Sequence, residues 1–199
     1  MDVHERGMLD QDTWENFFDV KKIFAMLKLN NRVHDVVELG CGYGTFTIPA
    51  AEIISGKIVA VDNDPEMIRL TSERIQQHRL ENVEVIQRDF IATGSSVKNR
   101  SMEYVMLFNI LNADNQQILF KEAKRVLKKW GQVAVLQWNN EADMPDGFDI
   151  AESPRPEQCR EWARAAGLGF VGQFDIKPYH CGMVFVKGNT LKSSWTMGK

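Results

Sequence analysis

The stretch Val36-Val37-Glu38-Leu39-Gly40-Cys41-Gly42-Tyr43-Gly44-Thr45 joins a short apolar run to an acid and then to glycines at every second position. It reads as a β-strand that empties into a ligand loop. Glycine lacks a Cβ, so three of them let the main chain take positive φ and approach a bound molecule that side chains would push away. A second apolar run, Ile58-Val59-Ala60-Val61, ends in Asp62. An open α/β sheet uses an acid at the carboxyl end of its second strand to accept hydrogen bonds from ribose hydroxyls. The two strand ends therefore point at one nucleoside. A tight turn with no ligand would use the same glycines; Asp62 and Asp89, at the next two strand ends, set this loop apart from such a turn.

The spacing decides which nucleoside. A dinucleotide fingerprint, G-x-G-x-x-G/A, seats a pyrophosphate on a helix N-terminus. Counted from Gly40 the sixth position is Thr45, and counted from Gly42 it is Thr47, so neither register completes the pattern. What stands here, E-x-G-x-G-x-G from Glu38 to Gly44, resembles motif I of the class I S-adenosylmethionine-dependent methyltransferases, whose cofactor carries no phosphate. Asp62-Asn63-Asp64-Pro65-Glu66-Met67 is similar to that family's second-strand motif. Arg88-Asp89-Phe90 resembles its adenine-contacting segment, and Leu127-Lys128-Lys129-Trp130-Gly131-Gln132 the approach to its fifth strand. The resemblance covers residues 35–188 and implies S-adenosylmethionine as cofactor, with S-adenosylhomocysteine as product. It also implies that Gly40, Cys41, Gly42 and Gly44 give main-chain access and that Glu38 orients the loop and the amino end of the cofactor. By the same resemblance Asp62 grips the ribose, Asn63 and Met67 flank the adenine, Asp89 accepts its amino group beside Phe90, and Asn109 lies near the transferred methyl. Plainer readings stand beside these: Glu38 capping the loop amides, Met67 filling core, Asp89 serving as a turn acid.

The elements that must position these residues alternate. A helix reads from Asp12-Thr13-Trp14-Glu15 toward Leu27, with Trp14, Phe17, Phe18 and Phe24 near helical spacing. Strands read at 35–39, 58–61, 83–87, 104–108 and 133–138, then at 170–176 and 181–187. Helices read from 65 to about 77, where Asp64-Pro65 supplies the cap and first position, then over 115–129 and from Pro154 and Pro156 to Gly167. In the helix after the glycine loop, a cap at Thr45 places Pro49 among the first four positions, whose N–H groups need no intrahelical partner. Strands alternating with helices argue for a parallel sheet covered on both faces. The last two strands are too close for a parallel crossover, so the final one runs antiparallel. The expected fold is α/β: a Rossmann-like, doubly wound, seven-stranded and mostly parallel sheet. The expected division is a helical lid segment over 1–34, the binding domain over 35–188 and a loose tail over 189–199.

The 199 residues, 44% hydrophobic and 26% charged, suit one domain with its own core. A net charge of −3 argues against nucleic acid as partner, since a polyanion binder uses a basic surface to release counterions. Cys41, Cys159 and Cys181 have neither disulfide-framework nor zinc spacing. With no signal-peptide core and no run long enough to span a bilayer, the expected location is cytoplasmic, away from membranes, as a monomer or homodimer.

Methyl transfer from a sulfonium is an in-line displacement with a neutral leaving group, which asks for alignment and exclusion of water more than for proton donors. No triad or carboxylate pair is therefore expected, and the expected acceptor is a small molecule. Protein or RNA acceptors, a nicotinamide oxidoreductase and a non-catalytic nucleoside-binding module are the alternatives. The run Asn109-Ile110-Leu111-Asn112 lacks the two prolines of amide- and amino-methylating branches, and no cysteine follows a proline as in cytosine-methylating ones. Glu141, Asp143, Asp146 and Asp149 show no ligand spacing, so no metal is expected. Trp14, Phe17 and Trp138 are candidates for the acceptor pocket, and His180, Asn139 and Tyr179 for catalysis, each with packing or a plain turn as the simpler role. The basic run Lys121, Lys124, Arg125, Lys128 and Lys129 reads as a solvated helix face.

Overall fold

The computed structural model describes residues 10–111, 116–144, 150 and 153–188. Its strands are β1 (Val36–Leu39), β2 (Ile58–Asp62), β3 (Val83–Gln87), β4 (Met102–Phe108), β5 (Leu127–Trp138), β6 (Gly169–Ile176) and β7 (His180–Val186). They form one sheet in the order β3-β2-β1-β4-β5-β7-β6. The first five run parallel, and β7 runs antiparallel to both β5 and β6. The strand order reverses between β1 and β4, where Val37 pairs with Val59 on one side and Val105 on the other. A crevice outside the carboxyl ends of the strands follows from that reversal.

Because side chains alternate across a strand, the sheet feeds two cores. Val37, Val59, Val105 and Val133 face one layer, closed by α6 (Gln116–Val126) and α7 (Pro156–Ala165). Val36, Ile58, Met106 and Ala134 face the other, closed by α2 (Val20–Leu27) and α3 (Thr47–Ile53). Burial on both faces is why these strands are near-continuous apolar runs. The Tyr104 hydroxyl donates to the Leu27 carbonyl at 2.8 Å, so α2, with Ile23, Phe24 and Leu27 buried, is built into the domain.

The helix read over the N-terminal segment is two helices, α1 (Gln11–Glu15) and α2. Each has its own cap: Asp10 accepts from the Thr13 amide at 3.0 Å and Asp19 from the Lys22 amide at 3.1 Å. Two competing caps break what periodicity alone makes continuous. The second crossover helix, α4 (Pro65–Gln77), has the expected bounds, with Asp64 accepting from the Glu66 amide. In contrast, α3 starts at Thr47 with no side-chain cap, since the Thr45 hydroxyl turns to Glu15 at 3.5 Å. A short α5 (Phe90–Thr93) was not expected. The reading of 115–129 as one helix is corrected: α6 gives way to β5 at Leu127, which pairs with Met102. The Lys128 ammonium is held by Asp35 at 3.0 Å and Glu103 at 3.1 Å, a tertiary anchor that helical charge spacing does not reveal. Residues 1–9 of the expected lid, the expected tail and the acids Asp146 and Asp149 lie outside the described residues. Among the described residues no helix is long and apolar enough to cross a membrane.

Candidate functional site

Gly40, Gly42 and Gly44 all have positive φ, at +82°, +51° and +75°. Their surroundings differ. A Cβ on Gly40 would lie 2.6 Å from the Ile110 side chain, and one on Gly44 would lie 3.0 Å from the Thr71 hydroxyl. Those two glycines are required by packing. A Cβ on Gly42 would meet nothing within 4 Å among the described residues, so among them Gly42 faces open space. The loop is fixed from below: the Gly42 amide donates to Asp62 Oδ2 at 2.8 Å, and its carbonyl accepts from the Thr71 hydroxyl at 2.7 Å. Arg74 on α4 donates to the Tyr43 carbonyl at 2.7 Å and to Glu15 on α1 at 2.6 Å, which ties the N-terminal helix to the same loop.

Asp62 ends β2 almost buried. Its Oδ1 accepts from the Asp64 amide at 3.0 Å, and a carboxylate with about four lone-pair sites keeps capacity for a hydroxyl donor beside its amide partners. Burial raises its carboxyl above the ordinary range, against the pull of the amides of Asp64 and Gly42. Glu38 is buried at the end of β1, and the Thr47 hydroxyl donates to it. Desolvation pushes this carboxyl up to about 8, with the Thr47 bond pulling down and the charge of Asp62 adding to the rise. Two neighbouring acids, one kept largely protonated, form a pocket electrostatically suited to a cation. Burial also drives the Cys41 thiol far above its usual range, which leaves it inert.

The remaining predicted cofactor residues divide. Asn63 is exposed beside the Asp62 turn, while Met67 is buried on α4. Asp89 is exposed and Phe90 buried. One Asp89 oxygen caps α5, accepting from the amides of Ile91 at 3.1 Å and Ala92 at 2.9 Å. Asn109 follows β4 with φ +53°, its amide N–H donating to the Leu136 carbonyl at 2.8 Å. Both polar atoms of its side chain are buried without a hydrogen-bond partner among the described residues. Such groups are costly to leave unpaired in a folded protein, so each calls for an explanation.

A wall of rings stands where β5 ends and β7 begins. Trp138 and His180 pair across those strands with centroids 4.4 Å apart. Phe17 lies 5.4 Å from Trp138 and 5.3 Å from Tyr179, and Trp14 lies 5.8 Å from Trp138. The structure thus brings Trp14, Phe17, Trp138, Tyr179 and His180 together, joined by Phe18, which sits 4.7 Å from His180. Asn139 is used locally: its amide N–H donates to the Tyr179 carbonyl at 2.8 Å and its side chain accepts from the Glu141 amide at 3.1 Å. Burial lowers His180 to about 3 and its Nε2 has no partner among the described residues, so at neutral pH the ring is uncharged and too weak a base to take an acceptor's proton. On the other face of β5, two hollows of about 460 and 610 Å³ share Asn140 and Arg155.

Thr47, Thr71, Arg74, Glu15 and Phe18 belong to this arrangement without having been read as site residues. For Glu38 a signal existed, since a buried acid needs a nearby donor and Thr47 is the first hydroxyl on the following helix. Arg74 and Glu15, 59 positions apart, offered none.

A model of the methyltransferase domain matches residues 31–180. A ribosomal RNA small subunit methyltransferase A of Desulforapulum autotrophicum is 27% identical over 139 residues, 67% of this chain and 47% of that protein. A demethylmenaquinone methyltransferase of Bacillus cereus is 25% identical over 145 residues, 68% of this chain and 60% of that protein. The chain thus spans about half the length of these curated relatives. Among solved structures, a SAM-dependent methyltransferase from Aquifex aeolicus superposes with TM-score 0.81 at 19% identity, covering 94% of this chain and all of that one. At that identity the likeness establishes the fold. The exclusion of nucleic acid drawn from net charge loses its support, since one of these relatives is named for RNA.

Proposed function

We infer the function from one premise: the chain belongs to the methyltransferase-domain family. We propose that it is an S-adenosylmethionine-dependent methyltransferase acting on a small molecule with a flat apolar portion. The observation that carries the cofactor assignment is the open space over Gly42, held beside Asp62, together with the buried amide of Asn109 at the end of the neighbouring strand β4, which has no partner among the described residues. These residues fit an adenosyl sulfonium: main chain for close approach, a carboxylate with spare lone pairs for ribose hydroxyls, and acids for positive charge. When bound, that cofactor supplies an electrophilic methyl on sulfur.

The chain's own work is positioning. Asp62 and the Gly42 amide fix the nucleoside end, and Glu38 receives the ammonium of the amino-acid end, giving up its proton as the cation approaches. Asn109 supplies hydrogen bonds where β4 opens toward the acceptor. The aromatic wall of Trp14, Phe17, Trp138 and Tyr179 excludes water and holds a flat group, with ring stacking worth about 1 kcal/mol per pair beyond the area buried. His180, neutral beside Trp138, orients through Nε2 and takes no proton. Alignment of this kind accounts for transfer without a metal or a covalent intermediate. The sixth-position threonines of the glycine loop disfavour a nicotinamide dinucleotide.

Thermal denaturation tests the cofactor assignment. S-adenosylhomocysteine at a hundred times its Kd adds about 2.7 kcal/mol, a rise of roughly 5–10 °C for a chain of this size, and NAD adds none. A rise with NAD alone would sink the assignment. The acceptor class is tested by screening quinone-like, phenolic and heteroaromatic compounds with radiolabelled methyl donor; label appearing only in RNA or protein would refute it.

A further inference from the structure

At the opposite end of the sheet, cations from stretches far apart in sequence converge. Arg100 stands before β4, Lys121 and Lys124 lie on α6, Lys129 is near the start of β5, and Lys187 follows β7. They line two adjoining hollows of about 470 and 450 Å³, and Arg100, Lys124 and Lys187 belong to both. Arg125, also on the rim, is neutralised by Glu122 at 2.6 Å, and Lys128 by Asp35 and Glu103. The other five have no ion pair among the described residues. Lys187, whose ammonium donates to the Leu127 carbonyl at 2.6 Å, is held below its usual range first by burial and then by the nearby charges of Arg100 and Lys124.

An aromatic plane stands beside them. Trp130 is 56% exposed, the most exposed large hydrophobic side chain among the described residues, and its left-handed backbone (φ +68°) sits at the edge of the patch. One part of its ring rests on Gly188, where a Cβ would come within 2.4 Å, and the Lys129 ammonium lies 5.3 Å from its centroid. The sequence places these lysines on a continuous solvated helix, but the entry of β5 at Leu127 carries Lys129 and Trp130 round to meet Arg100 and Lys187. In a chain of net charge −3, five uncompensated cations in one place are a local arrangement that composition averages away.

We propose that this patch docks single-stranded nucleic acid, the cations tracking its phosphates and Trp130 stacking on a base. A cationic groove with an exposed aromatic platform is the chemistry that such strands use. A membrane asks for an apolar face to insert, and the patch offers one ring; an acidic peptide gives that ring nothing to stack on. The strand is held about one strand length, roughly 20 Å, from the glycine loop, so the docking surface stands whichever acceptor is methylated.

Fluorescence anisotropy with labelled 12-nucleotide oligo(U) and oligo(dT) tests the proposal on the full chain. Both bind, because no contact here reads a 2′-hydroxyl. With about five phosphates engaged, the salt slope is about −3.5, so affinity falls roughly 100-fold between 50 and 200 mM salt. Lys124→Glu with Arg100→Glu abolishes binding, and Trp130→Ala weakens it about tenfold. All three substitutions lie far from the cofactor loop and leave the S-adenosylhomocysteine thermal shift intact, which separates failure here from failure of the methyltransferase assignment. The proposal is overturned by no binding at 50 mM salt, by binding indifferent to these substitutions, or by sedimentation with phosphatidylserine vesicles in place of oligonucleotide binding.

Discussion

The proton on Glu38 makes cofactor binding pH-dependent in a way that can be worked through. With its carboxyl near 8 in the free protein, about nine-tenths of the molecules carry that proton at pH 7. If the cofactor's ammonium restores an ordinary carboxylate value of about 4.5, binding at pH 7 releases about 0.9 proton. The affinity then rises about 50-fold between pH 6 and pH 8, equivalent to roughly 2.3 kcal/mol. Titration calorimetry with S-adenosylhomocysteine in buffers of different ionisation enthalpy reads the released proton directly, and the pH series reads the affinity. Glu38→Gln should release no proton and give a flat profile over this range. Stability supplies an independent check. The folded value is raised above the unfolded one, so the contribution is present below about pH 4.5 and lost as pH rises through 8, on the order of 5 kcal/mol in total. Glu38→Gln should remove that alkaline loss. Wild-type binding that neither releases protons nor tightens with pH would refute the assigned contact between Glu38 and the ammonium.

The glycines separate packing from ligand access. Gly42→Ala, strained at positive φ by about 1–2 kcal/mol, should lower Tm by only a few degrees yet erase the S-adenosylhomocysteine shift, whereas Gly40→Ala, whose methyl strikes Ile110, should lose stability first; an intact shift in Gly42→Ala would exclude close approach at that residue. His180, folded near 3 against about 6.5 unfolded, contributes stability that is full above pH 6.5 and falls as pH drops toward 3, by about 2 kcal/mol at pH 5. His180→Phe should flatten that acid limb in urea denaturation at pH 7 and 5, and an unchanged limb would count against burial of a neutral ring. Arg74→Met removes the donor that Glu15 and the Tyr43 carbonyl share and should cost about 2 kcal/mol, with a coupling of about 1 kcal/mol to Glu15→Gln in a double-mutant cycle; strict additivity would mean that α1 is not tied to the loop.

The sequence by itself determined the order of elements, because two-sided burial writes β1, β2, β4 and β5 as apolar runs and Asp64-Pro65 writes the start of α4. It also determined the glycine loop and the acid at the end of β2, since positive φ and a strand-end carboxylate are tied to residue type at fixed places in the chain. The aromatic residues of the N-terminal segment were visible, but their meeting with Trp138 and Tyr179 was not, because α1 and α2 part at Asp19 and only the folded chain lays them over the ends of β5 and β7. Lys128 looked like one more helical cation until Asp35 and Glu103 drew it into a strand. What the tertiary structure alone decided were the protonation of Glu38, the neutrality of His180, the Glu15–Arg74 tie and the cationic patch around Lys187. Each depends on burial or on charges brought together from distant positions, and neither desolvation nor a Coulomb sum is written in local spacing.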